Sequence, residues 1–178
     1  MKLTQQHFYY GAILSAILEY NPDANMALLQ RNSDNRSIYT IETNSSQNCC
    51  VFFKHTAQKR EDSPSWQFVF TQNEMATLEK CYNDKVPTFV FLLCRTSNLK
   101  NSEIAVLNLK EFRDLNKDSI TVRPDGHSFY ISRGKSPDNS VKIPRNRIEK
   151  TFDALIEEVV EVSHGYYCPR CKFPLLLL

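Results

Sequence analysis

The chain has 178 residues and a formal net charge of +2, with 42% hydrophobic and 24% charged residues. This length is enough for one domain with its own hydrophobic core, so the body of the protein needs neither metals nor disulfides to fold. The small net charge does not by itself indicate a polyanionic partner, and no stretch is long and apolar enough to cross a bilayer. We therefore expect a globular protein without a membrane partner.

The cysteines indicate free thiols in a reducing compartment. There are six of them, but Cys49 and Cys50 are adjacent, and the N-terminal residues lack the apolar core and cleavage site of a secretory signal. Disulfides are uncommon in such a context. We predict a cytoplasmic protein in which Cys81 and Cys94 act as small hydrophobic core residues, with a role as metal ligands as the alternative.

The N-terminal half of the chain predicts the order helix, three strands, helix, strand. Apolar residues at helical spacing follow Thr4 and stop at Asn21-Pro22. Three segments then contain the β-branched and aromatic residues that are typical of strands, and the first two are predicted to form a hairpin. These segments are 37–43, 49–56 and 66–70.

A capping box marks the start of the second helix. In the pattern Thr71-x-x-Glu74, each side chain satisfies a free backbone donor of the first turn, which predicts a helix over 72–83. Its inward-facing residues are predicted to be Met75, Leu78 and Tyr82. The next run, 88–94, is apolar without alternation, as expected of a central strand covered on both faces.

The C-terminal half predicts another strand, a short helical turn, a hairpin and a last helix. The hairpin is expected to turn at Pro124-Asp125-Gly126, and the last helix to begin after Pro144 and end at Gly165. The whole chain then predicts one mixed α/β domain over residues 1–163, with a central sheet and flanking helices. A separate C-terminal segment covers 164–178.

The order of elements resembles the αβββαβ core of the PD-(D/E)XK superfamily, which includes restriction endonucleases and Holliday-junction resolvases. The resemblance covers residues 4–94 and rests on this order. It implies a DNA or RNA partner, in microbial DNA processing or defence. It also implies a divalent metal bound by an acidic residue near the second core strand and by an Asp or Glu two positions before a Lys.

Lys54 falls at the position of the family's lysine, but Phe52 stands two positions before it. Residues i and i+2 share one face of a strand, and a phenyl ring cannot ligate Mg²⁺, which takes oxygen ligands. Asp34 and Glu42, near the two ends of the preceding strand, complete the candidate catalytic set. We expect binding without cleavage, with Mg²⁺ needed only by an active nuclease. Alternatively, Lys54 is an end-of-strand lysine that discourages sheet pairing.

A basic segment extends from residue 131 to residue 150. Lysines and arginines contact phosphate backbones independently of base sequence, so this segment is a candidate nucleic-acid interface. A solvated loop with scattered charges is the alternative. The candidate ligands are Arg133, Lys135, Lys142, Arg145 and Arg147.

The C-terminal segment contains half of a zinc site. Cys168 and Cys171 are spaced so that both thiolates can reach one metal, and His164 offers a third ligand. The fourth position is open to water, a distant cysteine or a second chain, and sharing one metal across a twofold axis would give a homodimer. The alternative is a reduced tail without metal.

Two functional hypotheses follow from these patterns. The first is a nucleic-acid-associated protein with a nuclease-like core that has lost its catalytic function. The alternative is a non-enzymatic module that binds a protein partner, or itself, through the zinc knuckle and the final Phe-Pro-Leu-Leu-Leu-Leu.

Overall fold

A computed structural model describes residues 2–32, 36–42, 48–58, 64–97, 99–116, 118–133 and 140–163. Over these residues the predicted mixed α/β class is confirmed, with four α-helices and two sheets. Short 3₁₀ segments cover Leu99–Asn101 and Arg145–Glu149. The main elements are α1 (Gln5–Tyr20), β1 (Asn25–Asn32), β2 (Arg36–Glu42), β3 (Asn48–Ala57), β4 (Trp66–Val69), α2 (Gln72–Asn83), β5 (Thr88–Arg95), β6 (Glu103–Asn108), α3 (Leu109–Asp114), β7 (Ser119–Asp125), β8 (Ser128–Ser132), β9 (Ser140–Pro144) and α4 (Phe152–Ser163).

The first sheet is mixed, with strand order β1-β2-β3-β5-β6. An antiparallel meander forms β1, β2 and β3, whereas β3 and β5 run parallel and β6 is antiparallel to β5. A parallel pair needs a crossover connection, which β4 and α2 provide here. Every residue of β5 from Thr88 to Cys94 is buried. This confirms the prediction of a central strand that is covered on both faces.

The second sheet is antiparallel, with order β4-β7-β8-β9. The predicted hairpin is its middle pair, in which Asp125 lies opposite Ser128. The turn contains Gly126 at φ 57°, in the left-handed region that glycine adopts without strain. The strand predicted at 66–70 is β4, and it pairs with β7.

Two strands were not predicted, and the predicted start of the last helix after Pro144 is wrong. The sequence of β1, Asn-Met-Ala-Leu-Leu-Gln-Arg-Asn, contains no β-branched or aromatic residue, so propensity gives no strand signal. β9 lies at the edge of the second sheet and ends at Pro144, a position where the missing N–H is tolerated. The segment after Pro144 is a 3₁₀ turn, and α4 begins only at Phe152.

Both faces of the first sheet are covered by apolar side chains. Because neighbouring residues on a strand point to opposite faces, Phe52 and Phe53 enter different cores. Each fully buried side chain of this size contributes about 1.5–3 kcal/mol. One core includes Phe52, Val90, Leu92, Leu107, Trp66, Phe68, Leu78, Phe112, Ile120 and Phe129. The other includes Val51, Phe53, Phe89, Phe91, Ile13, Ile17, Phe152 and Leu155.

Within the described ranges, no helix has both the length and the apolar character that a bilayer span requires.

Candidate functional site

Lys54 lies near the carboxyl end of β3, in contact with the start of α2. Its ammonium group donates to both carboxylate oxygens of Glu74, at 2.7 and 2.9 Å, and lies 5.0 Å from the centroid of the Phe70 ring. Glu74 is only 3% exposed, and its Oε2 also accepts from the Thr71 amide at 2.6 Å. One buried carboxylate therefore caps α2 and neutralises Lys54.

The side chain two positions before Lys54 belongs to the apolar core. Phe52 is 1% exposed, and its ring lies 6.0 Å from that of Phe70. Across the described residues, no three His, Cys, Asp or Glu side chains come together in a way that could hold a metal ion. The surroundings of Lys54 are thus those of a partly buried ion pair against aromatic rings.

Of the two predicted acids, only Glu42 lies within the described residues, and it is remote from Lys54. Glu42 lies opposite Asn48, six residues before Lys54 on β3, which corresponds to about 20 Å along a strand. Asp34 lies outside the described residues. The acid that does meet Lys54 is Glu74. Its capping role was visible in the sequence, but its contact with a residue on another element was not.

Several described cations of the basic segment are paired with carboxylates of this chain. Arg133 is half-buried just after β8, and Lys135 lies outside the described residues. Three others form ion pairs that connect different elements. These pairs are Lys142–Asp125 at 2.8 Å, Arg145–Glu103 at 2.7 Å, Arg147–Glu111 at 2.6 Å and Arg147–Glu158 at 3.3 Å.

Sequence reasoning missed a cluster at the carboxyl ends of β3 and β5. His55 follows Lys54 on β3 and points to the opposite face, where its ring lies 4.6 Å from that of Tyr9 on α1. The guanidinium carbon of Arg95 lies 4.0 Å from the Tyr9 ring centroid, and Arg95 Nη1 donates to the Tyr9 hydroxyl. Parallel pairing sets Ala57 opposite Arg95, so both strands end at this edge.

Two side-chain nitrogens of this cluster are fully buried. His55 Nδ1 and Arg95 Nε have no hydrogen-bond partner among the described residues. Burial, followed by the charges of Arg95 and Lys54, lowers the pKa of His55 to about 4, so the ring is neutral at pH 7. A buried donor left unpaired costs about 1–3 kcal/mol. An oxyanion bound between the Arg95 guanidinium and the His55 imidazole would relieve this cost. The Arg95 guanidinium can only donate hydrogen bonds, and a neutral His55 ring can also donate one.

A separate cavity lies between α2 and α3. Its volume is about 390 Å³, and Leu78 and Phe112 belong to its lining. The charged lining pair Arg113 and Glu79 is joined at 3.2 Å, and the Arg113 guanidinium also stacks on Tyr82 at 3.5 Å. Tyr82 is 43% exposed, so its predicted inward orientation is wrong. The arginine at this cavity is paired with a carboxylate, whereas Arg95 Nε has no partner among the described residues.

The predicted zinc ligands His164, Cys168 and Cys171 lie outside the described residues, as does the leucine tail. They stay predictions. A scan against models of known protein families finds no match for this chain, and a search of curated proteins finds no significant relative.

Proposed function

We propose that the protein is a cytoplasmic nucleic-acid-binding protein with a nuclease-like sheet that holds DNA or RNA without cutting it. In this proposal a phosphate group binds at the Arg95 cluster, defined as Arg95, His55 and Tyr9. The observation that carries it is the pair of buried nitrogens, His55 Nδ1 and Arg95 Nε, that lack a partner within the described residues.

The position of the cluster supports a ligand site. In sheets with parallel strands, ligands bind outside the carboxyl ends of those strands, and β3 and β5 are the parallel pair of this sheet. Arginine is suited to phosphate because its planar fork can donate two hydrogen bonds at once. The Arg95 guanidinium packs against the Tyr9 ring, which restricts its position. The element order α1, β1, β2, β3, α2, β5 within and around the first sheet supports the nuclease-like interpretation.

The surroundings of Lys54 support the absence of cleavage. A metal-dependent nuclease needs oxygen ligands at the position that Phe52 fills, and a lysine free to act on the attacking water or the phosphate. Here Lys54 gives two hydrogen bonds to Glu74. The loss of a metal site does not remove phosphate binding by arginine.

Oligonucleotide binding tests the proposal directly. Fluorescence anisotropy with labelled single-stranded and duplex DNA should show binding at low salt, and Arg95→Gln should weaken it at least tenfold, or about 1.4 kcal/mol. The matched control is Arg113→Gln, which also removes an arginine stacked on a tyrosine and should leave binding unchanged. No binding of either oligonucleotide at low salt contradicts the proposal.

Cleavage is tested in the same samples. With Mg²⁺ or Mn²⁺ added, the labelled strands should remain intact on a denaturing gel. Strand cleavage that disappears in Lys54→Ala would show an active nuclease and overturn the non-cleaving assignment.

A protein-interaction module is the second candidate, favoured by the outer face of α1. Large apolar side chains are exposed near and on this helix: Leu3 at 66%, Phe8 at 62%, Leu18 at 42% and Tyr20 at 40%. Self-association through this face, or through zinc held by Cys168 and Cys171, predicts dimers in sedimentation equilibrium that Phe8→Ser or Cys168→Ser abolishes. A metal-free monomer contradicts this candidate.

A further inference from the structure

Two cysteines flank the contact between β3 and α2: Cys50 lies near the start of β3, and Cys81 lies near the end of α2. The carbonyl oxygen of Cys81 accepts a hydrogen bond from the Val86 amide at 3.1 Å, and the Cys50 amide donates to the Pro87 carbonyl at 2.8 Å. The turn between α2 and β5 therefore holds both cysteines. The two thiols are close enough for each to shift the pKa of the other.

The two thiols differ in exposure and in charge. Cys50 is buried at 8% exposure, whereas Cys81 is half-buried at the helix end. The hydrogen bond from Cys50 lowers the pKa of Cys81 below its ordinary value, and the same contact together with burial raises the pKa of Cys50. The Thr88 hydroxyl also lies beside Cys81, but its single proton goes to the Val86 carbonyl at 2.8 Å. The Cys50 thiol is therefore the main donor to the Cys81 sulfur.

We propose that Cys81 is a peroxide-reactive cysteine and that Cys50 resolves it to an intramolecular disulfide. The Cys81 thiolate attacks one oxygen of hydrogen peroxide; an S–O bond forms, the O–O bond breaks, and the leaving hydroxide takes a proton from solvent. The sulfur is oxidised to sulfenic acid while the peroxide is reduced. Cys50 then attacks the Cys81 sulfur, the S–O bond breaks, and the hydroxide leaves as water with the Cys50 proton. Two thiols and one peroxide give one disulfide and two waters.

The other described cysteines do not meet these conditions. Cys49 and Cys94 are both 0% exposed, and burial raises the pKa of each thiol. A buried neutral thiol reacts poorly with peroxide, so neither cysteine can take the place of Cys81 in the first step. The Cys50–Cys81 bond would tie α2 to β3, the two elements that carry Glu74 and Lys54. It acts at the other end of β3 from the Arg95 cluster, so the inference is independent of the proposed nucleic-acid site.

Peptide mapping of the full chain tests this inference. The protein is treated with one equivalent of hydrogen peroxide at pH 7, alkylated with N-ethylmaleimide and digested with trypsin without reduction. Cleavage after Lys80 and Lys85 isolates Cys81, and cleavage after Arg36 and Lys54 isolates Cys49 with Cys50. We expect these two peptides to be cross-linked. In Cys50→Ser, dimedone should instead label Cys81 as a sulfenic acid.

Two controls identify the reacting atoms. Cys49→Ser and Cys94→Ser should both keep the cross-link, and Cys81→Ser should lose it. Recovery of both wild-type peptides fully alkylated, at a peroxide dose that oxidises free glutathione, overturns the inference without requiring any variant to fold. A cross-link that persists in Cys50→Ser through Cys49 overturns the assignment of the resolving cysteine.

Discussion

The Glu74 carboxylate has two positive neighbours, the Lys54 ammonium and the backbone N–H of the Thr71 cap. Its side chain is 4% exposed and that of Lys54 is 20% exposed. Removing the cation leaves a buried charge without compensation, whereas removing both charges leaves a neutral cap. Lys54 thereby contributes to the stability of the β3–α2 contact.

Lys54→Met should therefore lower the free energy of unfolding by about 2–3 kcal/mol, less than for a fully buried pair because Lys54 is partly hydrated. The double variant Lys54→Met with Glu74→Gln should recover at least half of this loss, because glutamine still accepts the Thr71 hydrogen bond and carries no charge. Urea unfolding monitored by circular dichroism measures both. Equal loss in the single and double variants contradicts the ion-pair explanation.

His55 should make stability depend on pH in a defined window. Its pKa falls from 6.5 in the unfolded chain to about 4 in the folded protein, through burial and then the charges of Arg95 and Lys54. Between these values the unfolded chain binds a proton that the folded protein does not, so stability falls as the pH drops from 6.5 toward 4 and then levels off. The expected loss is about 2 kcal/mol, discounted for the partial exposure of the ring.

The variant His55→Phe removes this titration and keeps a ring against Tyr9. Its urea midpoint should change less than that of the wild type between pH 6.5 and 4. A wild-type His55 imidazole that titrates near its usual pKa in NMR contradicts the assigned environment. Addition of a bound oligonucleotide should raise the His55 pKa, because a phosphate stabilises the protonated ring.

Residue-scale prediction from sequence succeeded where the signal was local. The capping box, the turn at Gly126 and the opposite orientations of Lys54 and His55 all follow from spacing within a few residues. The partners of these residues did not follow. Tyr9 and Arg95 are 86 residues apart in sequence, and Lys54 and Glu74 are 20 apart, so only the fold brings them together.

At the level of elements, strand order depends on pairing rather than on propensity. β4 has the aromatic pattern of a core strand, with Trp66 and Phe68 buried, yet it pairs with β7 in the second sheet. The sequence pattern specifies which side chains are apolar but not which strand edge is nearest. The same limit explains β1, which is a strand because it pairs with β2 and not because of its composition.

The Arg147 side chain contacts three elements, and its removal should weaken the packing between them. It is 11% exposed, pairs with Glu111 of α3 and Glu158 of α4, and donates to the Val106 carbonyl of β6. Arg147→Met should reduce the free energy of unfolding by about 2 kcal/mol, because it leaves the partly buried Glu111 carboxylate without its cation, whereas Glu158 keeps its ion pair with Lys150. The matched control Arg145→Met, at a side chain that is 37% exposed, should cost less than about 1 kcal/mol.

The same pair of variants separates stability from binding. Under the proposed function, Arg147→Met should still bind oligonucleotides with wild-type affinity below its unfolding midpoint. A large loss of affinity in the folded variant would show that Arg147 contacts the nucleic acid, as the basic segment predicted.

For the whole molecule, the near balance of positive and negative charges limits the number of phosphate groups that the surface can contact. The net charge is +2, and Lys142, Arg145 and Arg147 are each joined to a carboxylate of the same chain. Cations that are already paired release few counterions when they approach a phosphate backbone. Binding is therefore expected to depend on a small number of contacts, among which we place the Arg95 cluster, where His55 Nδ1 and Arg95 Nε are buried without a partner in the described ranges.

This limit predicts a shallow dependence of affinity on salt. Plotted as log K against log of the salt concentration, single-strand binding should have a slope of about −1 to −3, because each neutralised phosphate contributes about −0.7. Arg95→Gln should make the slope less negative by about 0.7, as expected for the loss of one phosphate contact. Arg145→Gln should leave the slope unchanged, since Glu103 already holds that guanidinium. The contradicting result is a wild-type slope steeper than about −5 together with the same slope for Arg95→Gln. It would show that the phosphates contact other cations and that the Arg95 cluster has been assigned the wrong role.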